Sequence, residues 1–226
     1  MPNVEIDQLR ERLSQRQITI GFIGAIGAGK SSLAERISER LGIGIVAESF
    51  QENPYLENFY SDPRTWSFRS QVWFLQDAVG QASKIKNIGA AVFDPKFDMH
   101  TDVFARVQCE VMGWMDKRAY QTYVQLKEIL LQEYPLREPD LTILVDAPFK
   151  VLAKRIRKRG RPYELRMLEH FPQYLMAIQG YVRVWRREHP HANVVTINTN
   201  NTDISNEASF EEVELQILKA LLAKKS

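Results

Sequence analysis

Residues Gly24 to Ser32 read GAIGAGKSS and follow the apolar run ITIGFI. Gly24-Ala25-Ile26-Gly27-Ala28-Gly29-Lys30-Ser31 satisfies GxxxxGK[ST] completely, and it lies where that pattern must lie, between a strand candidate and a helix candidate. Gly24, Gly27 and Gly29 let the backbone N–H groups of the loop, from Ala25 through Ala28 to Ser32, turn inward around an anion. The helix N-terminus adds its positive end. Lys30 would reach the β and γ phosphates, and the Ser31 hydroxyl would ligate Mg²⁺. The loop therefore predicts a nucleoside triphosphate ligand, with ATP and Mg²⁺ the expected pair. A GTPase would also carry NKxD; DPKFD at 94–98 does not fit it, and the chain is short for a motor. A small-molecule kinase is the leading class, because the loop alone does not fix function. Glu48 stands at the end of a second strand candidate, where a carboxylate can accept the proton of a substrate hydroxyl facing the γ phosphate.

The elements that must hold these groups alternate. Short runs rich in Ile, Val and Ala at 18–24, 43–47, 90–94, 141–146 and 193–198 read as parallel strands covered on both faces. Helical patterns fill 30–41, 63–86, 101–113, 117–134, 148–159, 172–189 and 207–223. Gly42 is a C-terminal stop for the first of them, and Pro63, Pro148 and Pro172 stand near the starts of others. A further helix at 4–16 would pack Val4, Ile6, Leu9 and Leu13 on one face. The alternation predicts an α/β chain with a doubly wound five-stranded parallel sheet flanked by helices, its ligands outside the carboxyl ends of the strands. One domain accounts for all 226 residues.

Bulk composition narrows the partners. A net charge of +2 argues against a large nucleic-acid-binding face. One cysteine, Cys109, excludes a disulfide framework and reads as a small buried hydrophobe. No apolar run approaches the ~20 residues of a membrane span. The opening MPNVEIDQLRERLSQRQ lacks the apolar segment of a signal peptide, so a cytoplasmic location is expected.

Three further stretches give the chain a family likeness. E-x-x-x-x-N-P-Y-L-x-x-F-Y begins at Glu48, W-S-F-x-x-Q ends at Gln71, and R-I-R-K-R-G-R-x-x-E runs from Arg155 to Glu164. Together with the phosphate loop they resemble the deoxynucleoside kinases, nearest to the bacterial deoxyadenosine/deoxyguanosine branch, from about Ile18 to the 193–198 strand. The resemblance implies the P-loop kinase fold, a homodimer through the 63–86 and 101–134 region, and phosphorylation of a deoxynucleoside 5′-hydroxyl with a purine slightly preferred. It implies Glu48 as general base and Tyr60 with Glu164 at the sugar 3′-hydroxyl. Gln71 would read the base and Phe104 stack on it, roles their amide and aromatic chemistry suits. The segment from about 155 to 165 would be a lid whose Arg159 and Arg161, with Arg155 as a third candidate, close on the transferring phosphate.

The chain departs from the family pattern on the acceptor side. The third strand runs into Asp94-Pro95-Lys96, where the family has Asp/Glu-Arg-Ser/Thr. Asp94 would still help hold Mg²⁺, but Pro95 cannot supply the arginine that holds the catalytic carboxylate. Ala78 and His100 stand where the family commonly has a base-reading Arg–Asp pair, and Ser49 replaces a usual proline. Three outcomes are open. Lys96 or Arg69 replaces the lost charge and the chain is a kinase; the acceptor differs from an ordinary deoxynucleoside, for instance a nucleoside monophosphate; or the chain grips nucleotides as a catalytically weak subunit. An open pocket lined by Glu48, Tyr60, Gln71 and Phe104 favours catalysis, and a pocket plugged by Trp73, Met99 or His100 favours the last.

Overall fold

The computed structural model describes residues 4–85, 90–135 and 138–223. Five strands form one parallel sheet: β1 (Thr19–Gly24), β2 (Gly44–Ala47), β3 (Ala91–Asp94), β4 (Leu141–Asp146) and β5 (Val194–Asn198), in the order β2-β3-β1-β4-β5. Every predicted strand is present within a residue at either end. β1 is buried throughout, and β3 and β4 nearly so, because helices cover both faces of the sheet centre. β2 differs from the expectation. It is the sheet edge and most of it is exposed, since only one strand, β3, borders it; α2 (Lys30–Leu41) and the helix that starts at Pro63 pack on it.

Helix α2 matches its prediction, and Gly42 ends it in the left-handed conformation. α6 (Lys117–Glu133), α7 (Phe149–Arg159), α9 (Pro172–Glu188) and α10 (Glu207–Ala223) also keep their predicted places. α4 (Pro63–Ile85) fills the predicted 63–86 segment, whose last residue lies outside the described ones. α1 (Val4–Ser14) stops two residues early, and its buried face carries Ile6 and Leu13 while Val4 is 66% exposed.

Three segments depart from the sequence reading. The helix expected over 101–113 starts earlier, as a π-helical stretch Met99–Ala105 that passes into α5 (Arg106–Glu110). It ends short because Gly113, at φ +60°, turns the chain back and the N–H groups of Trp114 and Met115 bond the Gln108 carbonyl. A short helix α3 (Leu56–Ser61) lies within the NPYL segment. The basic lid segment spans the end of α7, a left-handed turn at Gly160 and the start of a further helix, α8 (Pro162–His170). The main core wraps β1, β3 and β4; a smaller cluster of Leu75, Val79, Ala105, Met115 and Tyr123 lies between α4 and α6, with Cys109 half-buried against it.

Candidate active site

The phosphate loop leaves β1 at its carboxyl end. Gly24 is required by crowding: a Cβ there would stand 2.4 Å from the Val145 carbonyl oxygen of β4. Gly27, at φ +80°, has the α7 side chain of Ile156 and the Leu152 carbonyl 3.1 Å from the position of a Cβ. The loop is braced from behind. Arg155 donates to the carbonyls of Ala28 (3.0 Å) and Thr199 (2.8 Å) and to Thr199 Oγ1 (2.8 Å), and Thr199 Oγ1 donates to the Ala28 carbonyl (2.7 Å). Arg155 is set apart from Arg159 and Arg161: its guanidinium is spent on the loop backbone and Thr199, and it is not among the residues that line the cavity.

The cavity occupies about 440 Å³ at the carboxyl ends of β1, β2 and β3. Gly27, Gly29, Lys30, Ser31 and Ser32 form one wall, and Glu48, Tyr60, Gln71, Phe104 and Glu164 line the rest with Asp94, Pro95, Arg159 and Arg161. Gly24, Ala25 and Ala28 are buried beneath the wall instead of forming it. Trp73, Met99 and His100 lie outside the lining. Lys30 Nζ donates to the carbonyls of Gly24 (2.9 Å) and Ala25 (3.2 Å). Burial holds its pKa below the ordinary lysine value, against the pull of Asp94 and Glu48.

Glu48 is fixed by the end of the sheet. Its N–H donates to the Asp94 carbonyl at 2.9 Å, extending the β2–β3 ladder by one bond. The next residue explains its own departure from the family: the Ser49 N–H donates to Asp77 Oδ2 of α4 (3.1 Å), and Gln81 Nε2 donates to both Ser49 Oγ (3.0 Å) and Asp77 Oδ2 (2.7 Å). A proline has no N–H to give Asp77. Burial pushes the Glu48 carboxyl up to about 8; Lys30 opposes this and Asp94 and Asp77 reinforce it. His100 Nε2 lies 3.7 Å from Glu48 Oε1.

Neither candidate for the missing positive charge reaches the cavity. Lys96 follows Pro95 directly, but its N–H joins the Phe22 carbonyl and its side chain runs along Gly21, mid-strand in β1. There it is bound by Asp98 and Glu138 and packs over Trp185. Arg69 is on α4, donates to the Thr65 carbonyl (2.8 Å) and stacks on Trp66. The cations that line the cavity are Lys30, Arg159 and Arg161.

The lid is drawn together by Glu164. This buried carboxylate accepts from Arg159 (2.6 Å) and from Arg161 (3.2 Å), and Arg161 also lies 4.2 Å over the Phe50 ring. Tyr60 stacks on Tyr163 of α8, ring centres 5.4 Å apart, so Tyr60 and the start of α8 form one packed unit. Gln71 is 3% exposed and its Oε1 has no hydrogen-bond partner among the described residues. Sequence reading missed Gln108 and Tyr174. Gln108, fully buried and one turn beyond Phe104, donates to the Tyr174 hydroxyl at 2.9 Å, while its Oε1 also lacks a partner. The i, i+4 spacing from Phe104 was the available signal.

Asp94 Oδ1 is likewise buried without a partner, beside the phosphate loop and the exposed Ser31. An unpaired carboxylate oxygen facing the same cavity as a hydroxyl suits a hard divalent cation, so these residues fit Mg²⁺.

Known proteins resemble this chain over most of its length. The family model for deoxynucleoside kinase matches residues 5–222. The chain is 32% identical over 158 residues to deoxyadenosine/deoxycytidine kinase of Bacillus subtilis, covering 70% of this chain and 72% of that one. It is 31% identical over 212 residues to deoxyguanosine kinase of Lactobacillus acidophilus, covering 88% of each. A solved structure of deoxyadenosine kinase from M. mycoides with bound dATP superposes with a TM-score of 0.77 at 25% identity, over 88% of this chain and 99% of that one. The fold, the cavity and these likenesses lead to one conclusion: the chain belongs to the deoxynucleoside kinase family of phosphotransferases.

Proposed function

We propose that the chain transfers the γ-phosphoryl group of ATP to the 5′-hydroxyl of a deoxyribonucleoside, with a purine slightly preferred. The observation that carries this reading is Glu48, a carboxylate held at the end of β2 in the same cavity as Lys30 and the phosphate loop. The 5′-oxygen forms a bond to the γ-phosphorus, the bond to the bridging oxygen breaks, and the hydroxyl proton passes to Glu48. Lys30 and the loop amides hold the donor phosphates. Arg159 and Arg161 neutralise the transferring group after exchanging Glu164 for phosphate; Glu164 and Tyr60 are then available to the sugar. Gln71 takes the base edge and Phe104 its face. Ser31 and Asp94 would hold Mg²⁺, which when bound screens the charge between the β and γ phosphates. The protein's contribution is positioning and electrostatics, with little covalent chemistry of its own. A cytoplasmic homodimer belongs to the same reading; no described helix is long and apolar enough to cross a membrane.

The test is turnover of MgATP with each of the four deoxynucleosides, for the parent and for Glu48→Gln. The expected outcome is phosphorylation of at least one purine deoxynucleoside, and a loss of about 10² or more in kcat for the variant, the usual scale for removing a general base. ATP binding without phosphorylation of any of the four would overturn the reading.

A further inference from the structure

The carboxylate-holding arginine of the family is absent, and neither Lys96 nor Arg69 takes its place. We propose that His100 is the residue that positions Glu48, through an N–H on Nε2. This rests on Glu48 as the proton acceptor. Three structural observations carry it. The imidazole is 3% exposed and its Nε2 faces Glu48 Oε1 at 3.7 Å, the closest approach of a basic side chain to that carboxylate among the described ion pairs. The ring cannot swing away, because it is stacked on Phe74 of α4 (5.4 Å between centres, 16° between planes) and flanked by Phe104 at 6.2 Å. Its other nitrogen, Nδ1, is buried with no partner among the described residues.

The last observation decides the tautomer. Glu48 must be ionised to take the substrate's proton, and an ionised carboxylate only accepts hydrogen bonds, so a ring that serves it in that state must carry its proton on Nε2. Nδ1 is then a bare lone pair. A buried acceptor without a partner is tolerated more readily than a buried N–H without one, so the environment favours the same tautomer from both sides. The distance is longer than a finished hydrogen bond. Such contacts are often long before substrate arrives and close when the site fills. The groups around the ring fit this role. Asp77 of α4, which anchors Ser49, is the charged group that acts on the ring, and its negative charge favours a proton there against the opposing effect of burial. A neutral imidazole thus does the steering of the lost arginine without its charge, and the charge at the reacting centre is left to Lys30, Arg159 and Arg161. His100 touches neither the cavity nor the substrate; it is a positioning residue.

The experiment compares His100→Phe, which keeps the stacked ring and removes the N–H, with His100→Gln, whose amide N–H reaches the Nε2 position. We expect His100→Phe to lower kcat at least about tenfold with the nucleoside KM within about twofold, the pattern of a contact felt in the transition state. His100→Gln should recover most of that loss. Wild-type kcat in His100→Phe, an equal loss in both variants, or a change confined to KM would each overturn the assignment. The wild-type protein supplies a measurement free of any folding defect: above pH 8, where Glu48 is ionised, nitrogen chemical shifts of the imidazole should report a protonated Nε2 and a bare Nδ1, and the opposite tautomer there would overturn the proposal. Full activity in Glu48→Gln would instead defeat the reading of the site itself, whatever His100 does.

Discussion

Glu48, half-buried in the cavity wall, and His100, buried behind it, are neighbouring titratable side chains with pKa values displaced in opposite directions. Burial lifts Glu48 to about 8 from 4.5 and lowers His100 to about 4 from 6.5. Each keeps its neutral form in the folded chain, and each makes stability depend on pH. The folded chain retains a proton on Glu48 that the unfolded chain releases, so the Glu48 contribution is full below 4.5 and is lost as pH rises through 8. For His100 the unfolded chain takes the proton first, so its contribution is full above 6.5 and is lost as pH falls through 4. The two slopes cancel between 4.5 and 6.5. From 6.5 to 8 Glu48 acts alone, and at about 1.4 kcal/mol per pH unit stability should fall by about 2 kcal/mol. Denaturant midpoints across this range should decline for the parent and stay level for Glu48→Gln. Parallel curves would mean that Glu48 is not held neutral. In the free enzyme the same pKa delays the active carboxylate, so kcat/KM should still be rising at pH 8.

Elements position these groups, and the phosphate loop depends on one not adjacent to it in sequence. Thr199, just past β5, closes the back of the loop through Ala28 and Arg155. Thr199→Val keeps the shape and removes the hydroxyl. It should cost about 1–2 kcal/mol, lowering the melting temperature by about 3–6 °C in a chain of this size. Because the loop holds the donor, the KM for ATP should rise about three- to tenfold while the nucleoside KM stays within about twofold. Equal changes in both would show a general loosening of the site. The strands, the loop and most helices were legible because hydrophobic period, Gly-Lys-Ser spacing and proline placement are local signals. The partners of Arg155 were not, since Thr199 is 44 residues away and only the sheet order brings the two together. Lys96 misled for the same reason. Adjacency to Pro95 suggested a replacement cation, but the backbone bond to Phe22 directs that side chain along mid-β1 toward Asp98 and Glu138. The segment 155–165 was legible as a run of basic residues, yet its division between two helices turned on Gly160 at φ +73°.

At the scale of the whole molecule, the first and last helices are tied together far from the cavity. Arg10 of α1 grips Glu214 of α10 with two hydrogen bonds, Nε to Oε1 at 2.6 Å and a second guanidinium nitrogen to Oε2 at 2.8 Å. Glu214 is completely buried while Arg10 is partly exposed. The apolar face of α1, Ile6 and Leu13, is buried around this contact. α10 in turn packs on β5, the strand that leads to Thr199 and the back of the phosphate loop. The stabilising effect is asymmetric. Removing Arg10 alone leaves an uncompensated carboxylate inside the protein, which costs about 3–5 kcal/mol. Replacing both partners with apolar side chains removes the desolvation penalty along with the attraction, so Arg10→Met with Glu214→Leu should return most of the loss. Thermal melting should therefore fall by roughly 10 °C for Arg10→Met and recover in the double variant. If the single substitution shifts melting by less than about 2 °C, the pair contributes no more than a surface ion pair and α1 is held chiefly by the burial of Ile6 and Leu13.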